Sequence, residues 1–310
     1  MAKEKAAGRS AYGVVPAAVL FLILAVLMLS GREKEEIPVT GTSASEAELL
    51  SDEQADAESL ADLDSGEDHL RPERLEERET FRETDNITMG IDVSKFQETI
   101  DWGQVAESGV DFAMIRVGCR KSVAGEIVED ECARYNLQEA AANGIRIGAY
   151  FFSTAVDEAE AEEEAEWVCR ILEGYPVSYP VVYNCEGFQE ETSRQYGMTV
   201  EERTALACVF LDRIEEAGYT GMFYAARSEL EDSLFWDTET LEQRYRIWVA
   251  QYLSETYPEI PGPEYGGSFA MWQYTDGGTV PGIQTVVDLN VAYFGYEETV
   301  STLEDDEAEK

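Results

Sequence analysis

The feature that most constrains the fold is a regular alternation of short apolar runs with longer helical patterns from residue 88 onward. Strands are predicted at residues 88–93, 112–117, 146–152, 180–185, 221–225, 246–251, 269–274 and 285–289. The first five are each followed by a predicted helix, at residues 102–108, 131–143, 157–172, 200–217 and 228–243. Repeated β-α units of this length are typical of a parallel sheet covered by helices. We therefore predict an α/β fold, an irregular TIM-like (β/α) barrel with few helices in its last third. An open doubly wound sheet is the alternative.

The fourth predicted strand ends in a carboxylic acid. Alternate residues of a strand face the same side, so Asn184 and Glu186 share one face and Cys185 takes the other. A glutamate at a strand end can also be a surface residue or a helix cap. In a barrel, however, active-site groups gather where the parallel strands end.

The other strand ends carry similar polar and aromatic groups. In chain order the strand ends supply Asp92, Arg116, Tyr150, Asn184 with Glu186, Tyr224, Gln251 with Tyr252, Trp272 with Gln273, and Asp288. Carboxylates and amides bind hydroxyl groups, and aromatic rings stack on the apolar faces of sugars. The set indicates a carbohydrate site.

Charge and histidine content exclude several classes of function. The formal net charge of -41 argues against binding nucleic acid or an anionic lipid surface through a basic face. The single histidine, His69, lies outside the predicted barrel, so a Ser-His-Asp triad, a Cys-His peptidase or a His-ligated zinc site has no histidine there. What is left is carboxylate chemistry, which glycoside hydrolysis fits best. Nothing in the sequence demands a cofactor or a metal.

The N-terminal part of the chain predicts a membrane attachment. Residues 12–29 form an apolar run behind Lys3, Lys5 and Arg9, long enough with its flanks to span a bilayer. We predict a cytoplasmic basic flank and signal anchor at 1–31, an acidic stalk poor in aromatic residues at 32–85, the barrel at 86–298 and an acidic tail at 299–310. The protein would then be a single-pass membrane protein with an extracytoplasmic barrel. A cleaved, secreted form is the alternative.

Short motifs in a fixed order carry a resemblance to a known family. They are residues 89–97 (MGIDVSKFQ), 100–102 (IDW), 112–118 (FAMIRVG), 148–153 (GAYFFS), 248–252 (WVAQY), 271–274 (MWQY) and 287–290 (VDLN). Together they resemble the family 25 glycoside hydrolases, the Chalaropsis-type lysozymes, over residues 88–297.

The resemblance implies an irregular β/α barrel that cleaves the β-1,4 bond between N-acetylmuramic acid and N-acetylglucosamine in peptidoglycan strands. By position, Glu186 would be the general acid, with Asp92 and Asp288 lining the site. Sugar contacts are expected from Tyr150, Tyr224, Gln251 and Trp272. For the aromatic rings the alternative is packing inside the barrel.

One position departs from the family pattern. The family usually has Asp-x-Glu at the fourth strand, whereas this chain has Asn184 in place of the aspartate. Asp92 or Asp288 could take the vacated role, or the domain could be a catalytically inactive wall-binding module. A third explanation is that the substrate's own N-acetyl oxygen acts as nucleophile while Asn184 orients the acetamido group. A barrel glycosidase acting on another N-acetylated polymer is a further alternative.

Overall fold

The computed structural model describes residues 80–299. The predicted signal anchor, most of the predicted stalk and residues 300–310 lie outside this range. Within it, no helix is both long enough and apolar enough to cross a bilayer.

The described chain contains strands β1 to β11 and helices α1 to α6. The strands are β1 Thr80–Thr84, β2 Thr88–Val93, β3 Phe112–Arg120, β4 Ile127–Glu129, β5 Arg146–Phe152, β6 Val177–Asn184, β7 Gly221–Ala226, β8 Arg246–Ala250, β9 Met271–Gly278, β10 Val287–Ala292 and β11 Gly295–Thr299. The helices are α1 Trp102–Glu107, α2 Ala133–Ala142, α3 Glu158–Leu172, α4 Val200–Glu216, α5 Arg227–Glu231 and α6 Thr238–Arg244. A short 3₁₀ helix at Lys95–Gln97 follows β2. The eight predicted strands all exist, and the last predicted helix is divided into α5 and α6.

Eight strands close into a barrel in the order β2-β10-β9-β8-β7-β6-β5-β3, and the parallel pairing of β2 with β3 completes the ring. Closure excludes the open doubly wound sheet. Seven of the strands run parallel, while β10 runs antiparallel to both β9 and β2. The barrel is therefore irregular in its last third, where β9 and β10 follow one another without an intervening helix. We call the end where the seven parallel strands finish the carboxyl edge, and the opposite end the amino edge.

Side chains alternate between the inside of the barrel and the layer beneath the helices. On β6, Val182 packs inside the barrel with Met114 and Trp248, whereas Tyr183 packs outside it against Phe210 of α4. This period of two places Asn184 and Glu186 on the inner side and Cys185 on the outer side, as the sequence predicts.

The amino edge is closed by aromatic rings and by a two-stranded sheet. Strand β1 pairs antiparallel with β11, with Thr80 opposite Thr299. Tyr179 stacks on Phe112 at 4.4 Å and meets the edge of Tyr296 from β11. Residues 80–84, predicted as stalk, thus belong to the folded domain, and β11 reaches the first residue of the predicted tail. The barrel interior is a packed core at this end, so a ligand can enter only from the carboxyl edge.

Candidate active site

Two aspartates meet at the carboxyl edge through an antiparallel pairing. Asp92 lies near the end of β2, and its register partner is Asp288, the second residue of β10. The sequence prediction put Asp288 at the end of a strand. It is in fact near the start of one, and it reaches the same edge because β10 runs in the opposite direction. The two side chains are hydrogen-bonded to each other.

Asp92 is held by two side-chain amides. Gln273 Nε2 and Asn290 Nδ2 both donate to Asp92 Oδ2, at 2.9 Å and 2.7 Å. The direction of the Asn290 amide is fixed because its Oδ1 accepts a 2.9 Å bond from the indole nitrogen of Trp248. Two N–H donors on one oxygen favour the ionised carboxylate.

The Gln273 amide is fixed in turn by two tyrosines. The hydroxyls of Tyr224 and Tyr252 donate to Gln273 Oε1 at 2.9 Å and 2.7 Å, so Nε2 must face Asp92. Burial raises the pKa of both hydroxyls, and the negative charges of Glu186, Asp92 and Asp288 raise it further. The three predicted carboxyl groups therefore lie near enough to both tyrosine hydroxyls to raise their pKa.

The pKa of Asp92 records two opposing effects. Burial, with 6% of the residue exposed, raises the pKa above its usual range, and the hydrogen bonds from Asn290, Gln273 and Asp288 oppose that rise. Burial thus opposes the charged form of Asp92, while its hydrogen bonds favour that form.

Asn184 presents a buried acceptor at the mouth of the barrel. The residue is 8% exposed, and its Oδ1 has no hydrogen-bond partner within residues 80–299. Its backbone is fixed, because the carbonyl accepts a 2.8 Å bond from the amide of Ser153. A buried oxygen without a partner costs free energy, and a ligand N–H group would satisfy it. Glu186, two residues further on and partly exposed, extends from the same face.

Two predicted sugar contacts, Trp272 and Gln251, lie away from the inner face of the barrel or are bound within a loop. Trp272 is 0% exposed and packs outside the barrel against Tyr274 and Val291, with its indole nitrogen donating to the Gln251 carbonyl at 2.8 Å. The Gln251 side chain binds Glu264, accepting from its backbone amide at 2.8 Å. Trp272 is therefore a packing residue, and Gln251 fixes the loop after β8. The sugar contacts of these two residues stay predictions.

Their sequence neighbours belong to the hydrogen-bonded group around Asp92. Tyr252 follows Gln251 and Gln273 follows Trp272. Because Trp248 on β8 points into the barrel, the period of two predicts that Tyr252, four residues later, points the same way. Tyr252 is 42% exposed, so its ring is accessible to a ligand. Tyr224 is buried and supports Gln273, which fits the packing alternative, and Tyr150 is half-buried against the barrel interior.

A buried ion pair supports the loop beside Asp92. Arg116 Nε binds Asp130 Oδ2 at 2.8 Å, and the same oxygen accepts the backbone amide of Lys95 at 3.0 Å. The Arg116 guanidinium also lies over the ring of Phe96, 5.0 Å from its centroid. Arg116, which the sequence analysis placed at the end of β3, thus fixes the segment that follows β2.

A closed β/α barrel with clustered carboxyl groups at its carboxyl edge and no histidine among its residues defines a glycosidase-like protein. The model of the family described as glycosyl hydrolases family 25 matches residues 91–283, which is more than half of the chain. The chain belongs to this family, as the motifs predicted, and glycoside hydrolase is its enzyme class.

Individual relatives extend over most of the barrel. YegX of Escherichia coli O157:H7, an uncharacterized protein, is 28% identical over 220 residues, covering 70% of this chain and 73% of YegX. The autolytic lysozyme of Clostridium acetobutylicum is 24% identical over 201 residues, covering 65% of this chain and 54% of the lysozyme. The modular autolysin LytC from Streptococcus pneumoniae, solved in complex with a synthetic peptidoglycan ligand, matches with a TM-score of 0.55 and 25% identity. That match covers 69% of this chain and 47% of LytC, so the chain spans about half of LytC's length.

Proposed function

We propose that this domain is a muramidase, which hydrolyses the β-1,4 bond between N-acetylmuramic acid and N-acetylglucosamine in peptidoglycan. The observation that carries the proposal is the cluster of Glu186, Asn184, Asp92 and Asp288 at the open end of a family 25 barrel. The peptidoglycan ligand of LytC and the activity named for the clostridial lysozyme support the choice of polymer.

Glu186 is the best candidate for the general acid. It lies two residues after the end of β6, on the inner side of the barrel. Unlike Asp92, it is partly exposed to solvent at the carboxyl edge. In the first step its proton passes to the leaving glycosidic oxygen as the C1–O bond breaks. In the second step the resulting carboxylate takes a proton from the attacking water.

Asp92 is poorly suited to act as the nucleophile. It is buried, one of its oxygens already accepts two N–H groups, and the carboxyl group is also bound to Asp288. A carboxylate in that position stabilises positive charge on the sugar ring better than it attacks carbon. Asp288, which is partly exposed, can serve the same electrostatic purpose.

The acetamido oxygen of the substrate is therefore the nucleophile in this proposal. It attacks C1 while Asn184 Oδ1 accepts the acetamido N–H, which satisfies the acceptor that has no partner in the described protein. Water then opens the cyclic intermediate and restores the acetamido group. An asparagine orients this group but cannot neutralise its developing charge, so Asp92 and Asp288 supply the negative field.

Digestion of purified peptidoglycan by the full chain tests the proposal. We expect reducing-end N-acetylmuramic acid in the products, detected by mass spectrometry, and none from the Glu186→Gln variant. Glu190→Gln is the matched control, because Glu190 is an exposed carboxylate in the same loop. Equal product from wild type and Glu186→Gln contradicts the assignment of the acid.

A non-catalytic wall-binding module is the second candidate, and the missing carboxylate at Asn184 favours it. Wall that stays intact with the folded wild-type chain bound to it would support this candidate. A gain of hydrolysis from nothing in Asn184→Asp would establish it.

We further propose that residues 12–29 anchor the protein in the membrane with the barrel outside the cell, where it remodels the producer's own wall. The basic residues before the apolar run support this orientation. Digestion of intact spheroplasts with an external protease should remove the barrel, and a protected barrel would contradict the proposed orientation.

A further inference from the structure

The segment that carries Glu186 is attached to the barrel by a side chain nine residues away. Residues 185–199 connect β6 to α4, and Cys185 is the single residue between the end of β6 and Glu186. Backbone bonds such as Glu190 N to Gly187 O and Met198 N to Gln195 O fold the segment into successive turns. These bonds are internal to the segment, so they do not fix its direction relative to the barrel.

Two neighbouring residues connect the segment to the rest of the domain: Arg194, which binds the Thr154 carbonyl at 3.2 Å and Glu160 at 2.7 Å, and Gln195. Gln195 is 1% exposed, and its Oε1 accepts a 2.8 Å bond from the Cys185 thiol, which lies on the outer face of β6. Its Nε2 donates at 2.8 Å to the carbonyl of Ala155, in the segment after β5. Both ends of the amide are thus used, and each end binds a different segment.

Together with two further hydrogen bonds, these bonds form a closed circuit, that is, a ring of hydrogen-bonded residues that joins the ends of β5 and β6. Ser153 N donates to the Asn184 carbonyl at 2.8 Å, and Ala155 N binds Ser153 Oγ at 3.2 Å. From Ala155 the circuit returns through Gln195 to Cys185, the next residue after Asn184. All five residues are buried, so water does not replace a broken bond without reorganisation.

We propose that Gln195 is a positioning residue that sets the location of the Glu186 carboxyl group by acting through Cys185. The circuit fixes the backbone on both sides of the Asn184–Cys185 peptide, and Glu186 is the next residue along the chain. A displacement of about 1 Å at a catalytic group can cost about 100-fold in rate. The Gln195 side chain binds Cys185 and Ala155, so its effect on Glu186 passes through the backbone and falls on turnover rather than on binding.

Kinetics on soluble, uncross-linked peptidoglycan strands test this inference, which rests on the proposed muramidase function. We expect Gln195→Leu and Cys185→Ala to lower kcat by about 10- to 100-fold with KM changed less than about twofold. Cys185→Ser keeps a hydrogen-bond donor and should restore most of the rate. Cys208→Ala removes another buried thiol, on α4, and should leave kcat unchanged. Wild-type kcat in Gln195→Leu, or a loss confined to KM, overturns the proposal.

A structural readout separates failure of this inference from failure of the proposed function. If the wild-type chain hydrolyses no peptidoglycan, crystal structures of wild type and Gln195→Leu still decide the question. We expect the Glu186 carboxyl group to move by about 1 Å or more while Asp92 and Asp288 keep their positions. An unmoved Glu186 in Gln195→Leu contradicts the positioning role whatever the activity of the domain.

Discussion

Replacing Gln273 by leucine should destabilise the protein by an amount that depends on pH. The buried Tyr224 hydroxyl loses its acceptor, which costs about 1–3 kcal/mol, and Asp92 loses a donor to a charged group, which costs about 1.5–3 kcal/mol. Tyr252 is partly exposed, so its hydroxyl binds water instead. The unfolding free energy at neutral pH should therefore fall by roughly 2.5–6 kcal/mol.

The sign of the pH dependence follows from the pKa of Asp92. Burial raises this pKa in the folded state, so wild-type stability falls as pH rises from the unfolded pKa through the folded one. Loss of the Gln273 N–H removes a bond that favours the charged form, so it raises the folded pKa of Asp92 further. The destabilisation should thus be smaller at acid pH, by up to about 1.5–3 kcal/mol, because protonation of Asp92 removes the charge that this N–H group stabilises.

Urea unfolding followed by tryptophan fluorescence, at a series of pH values, measures this difference directly. The protein has 64 acidic residues, but their general effect on stability cancels when variant and wild type are compared at the same pH. Gln243→Leu, on an exposed position of α6, is the matched control and should change stability by less than about 0.5 kcal/mol throughout. A loss in Gln273→Leu that is equal at pH 4 and pH 7 refutes the role assigned to the Gln273–Asp92 bond.

Three further outcomes are expected. Asn184→Asp should change kcat only modestly if the acetamido group is the nucleophile, and a rise from no activity would contradict that mechanism. Trp272→Ala should cost about 3–5 kcal/mol in urea unfolding through the cavity it leaves, with KM unchanged; a large rise in KM would mean that the ring does contact sugar. Asp130→Ala should cost about 3–5 kcal/mol because it removes the carboxylate that binds the buried Arg116 guanidinium. Arg246→Ala, at the more exposed pair with Glu83, should cost less than about 1 kcal/mol, and equal losses would refute the contrast.

The barrel strands could be predicted from sequence because each is a short apolar run bounded by turn residues. Strands β1 and β11 could not, since their sequences TFRET and GYEET are rich in polar residues. They become strands by pairing with each other across more than two hundred residues, and that pairing leaves no local pattern.

The location of several candidate residues could be predicted from the sequence, while their roles stay predictions. Asp92, Asn184 and Glu186 follow from the period of two within single strands. Residue type favours Trp272 over Gln273 as a sugar contact, because aromatic rings stack on sugars. The face that each residue occupies depends instead on the register of β9 against β8, which the sequence does not show. Asp288 reaches the carboxyl edge from the start of an antiparallel strand, and residue types do not reveal strand direction.

The pairing of Thr80 with Thr299 brings the two ends of the folded domain close enough to be joined. Antiparallel partners lie about 5 Å apart, so a two-residue turn such as Asn-Gly can join β11 directly to β1. New ends can then be opened in the exposed turn around Val123, between β3 and β4. Such a circular permutant keeps every barrel contact while its chain ends move from the amino edge to the carboxyl edge. The end of the barrel that faces a fused partner can then be chosen without changing the residues at the carboxyl edge.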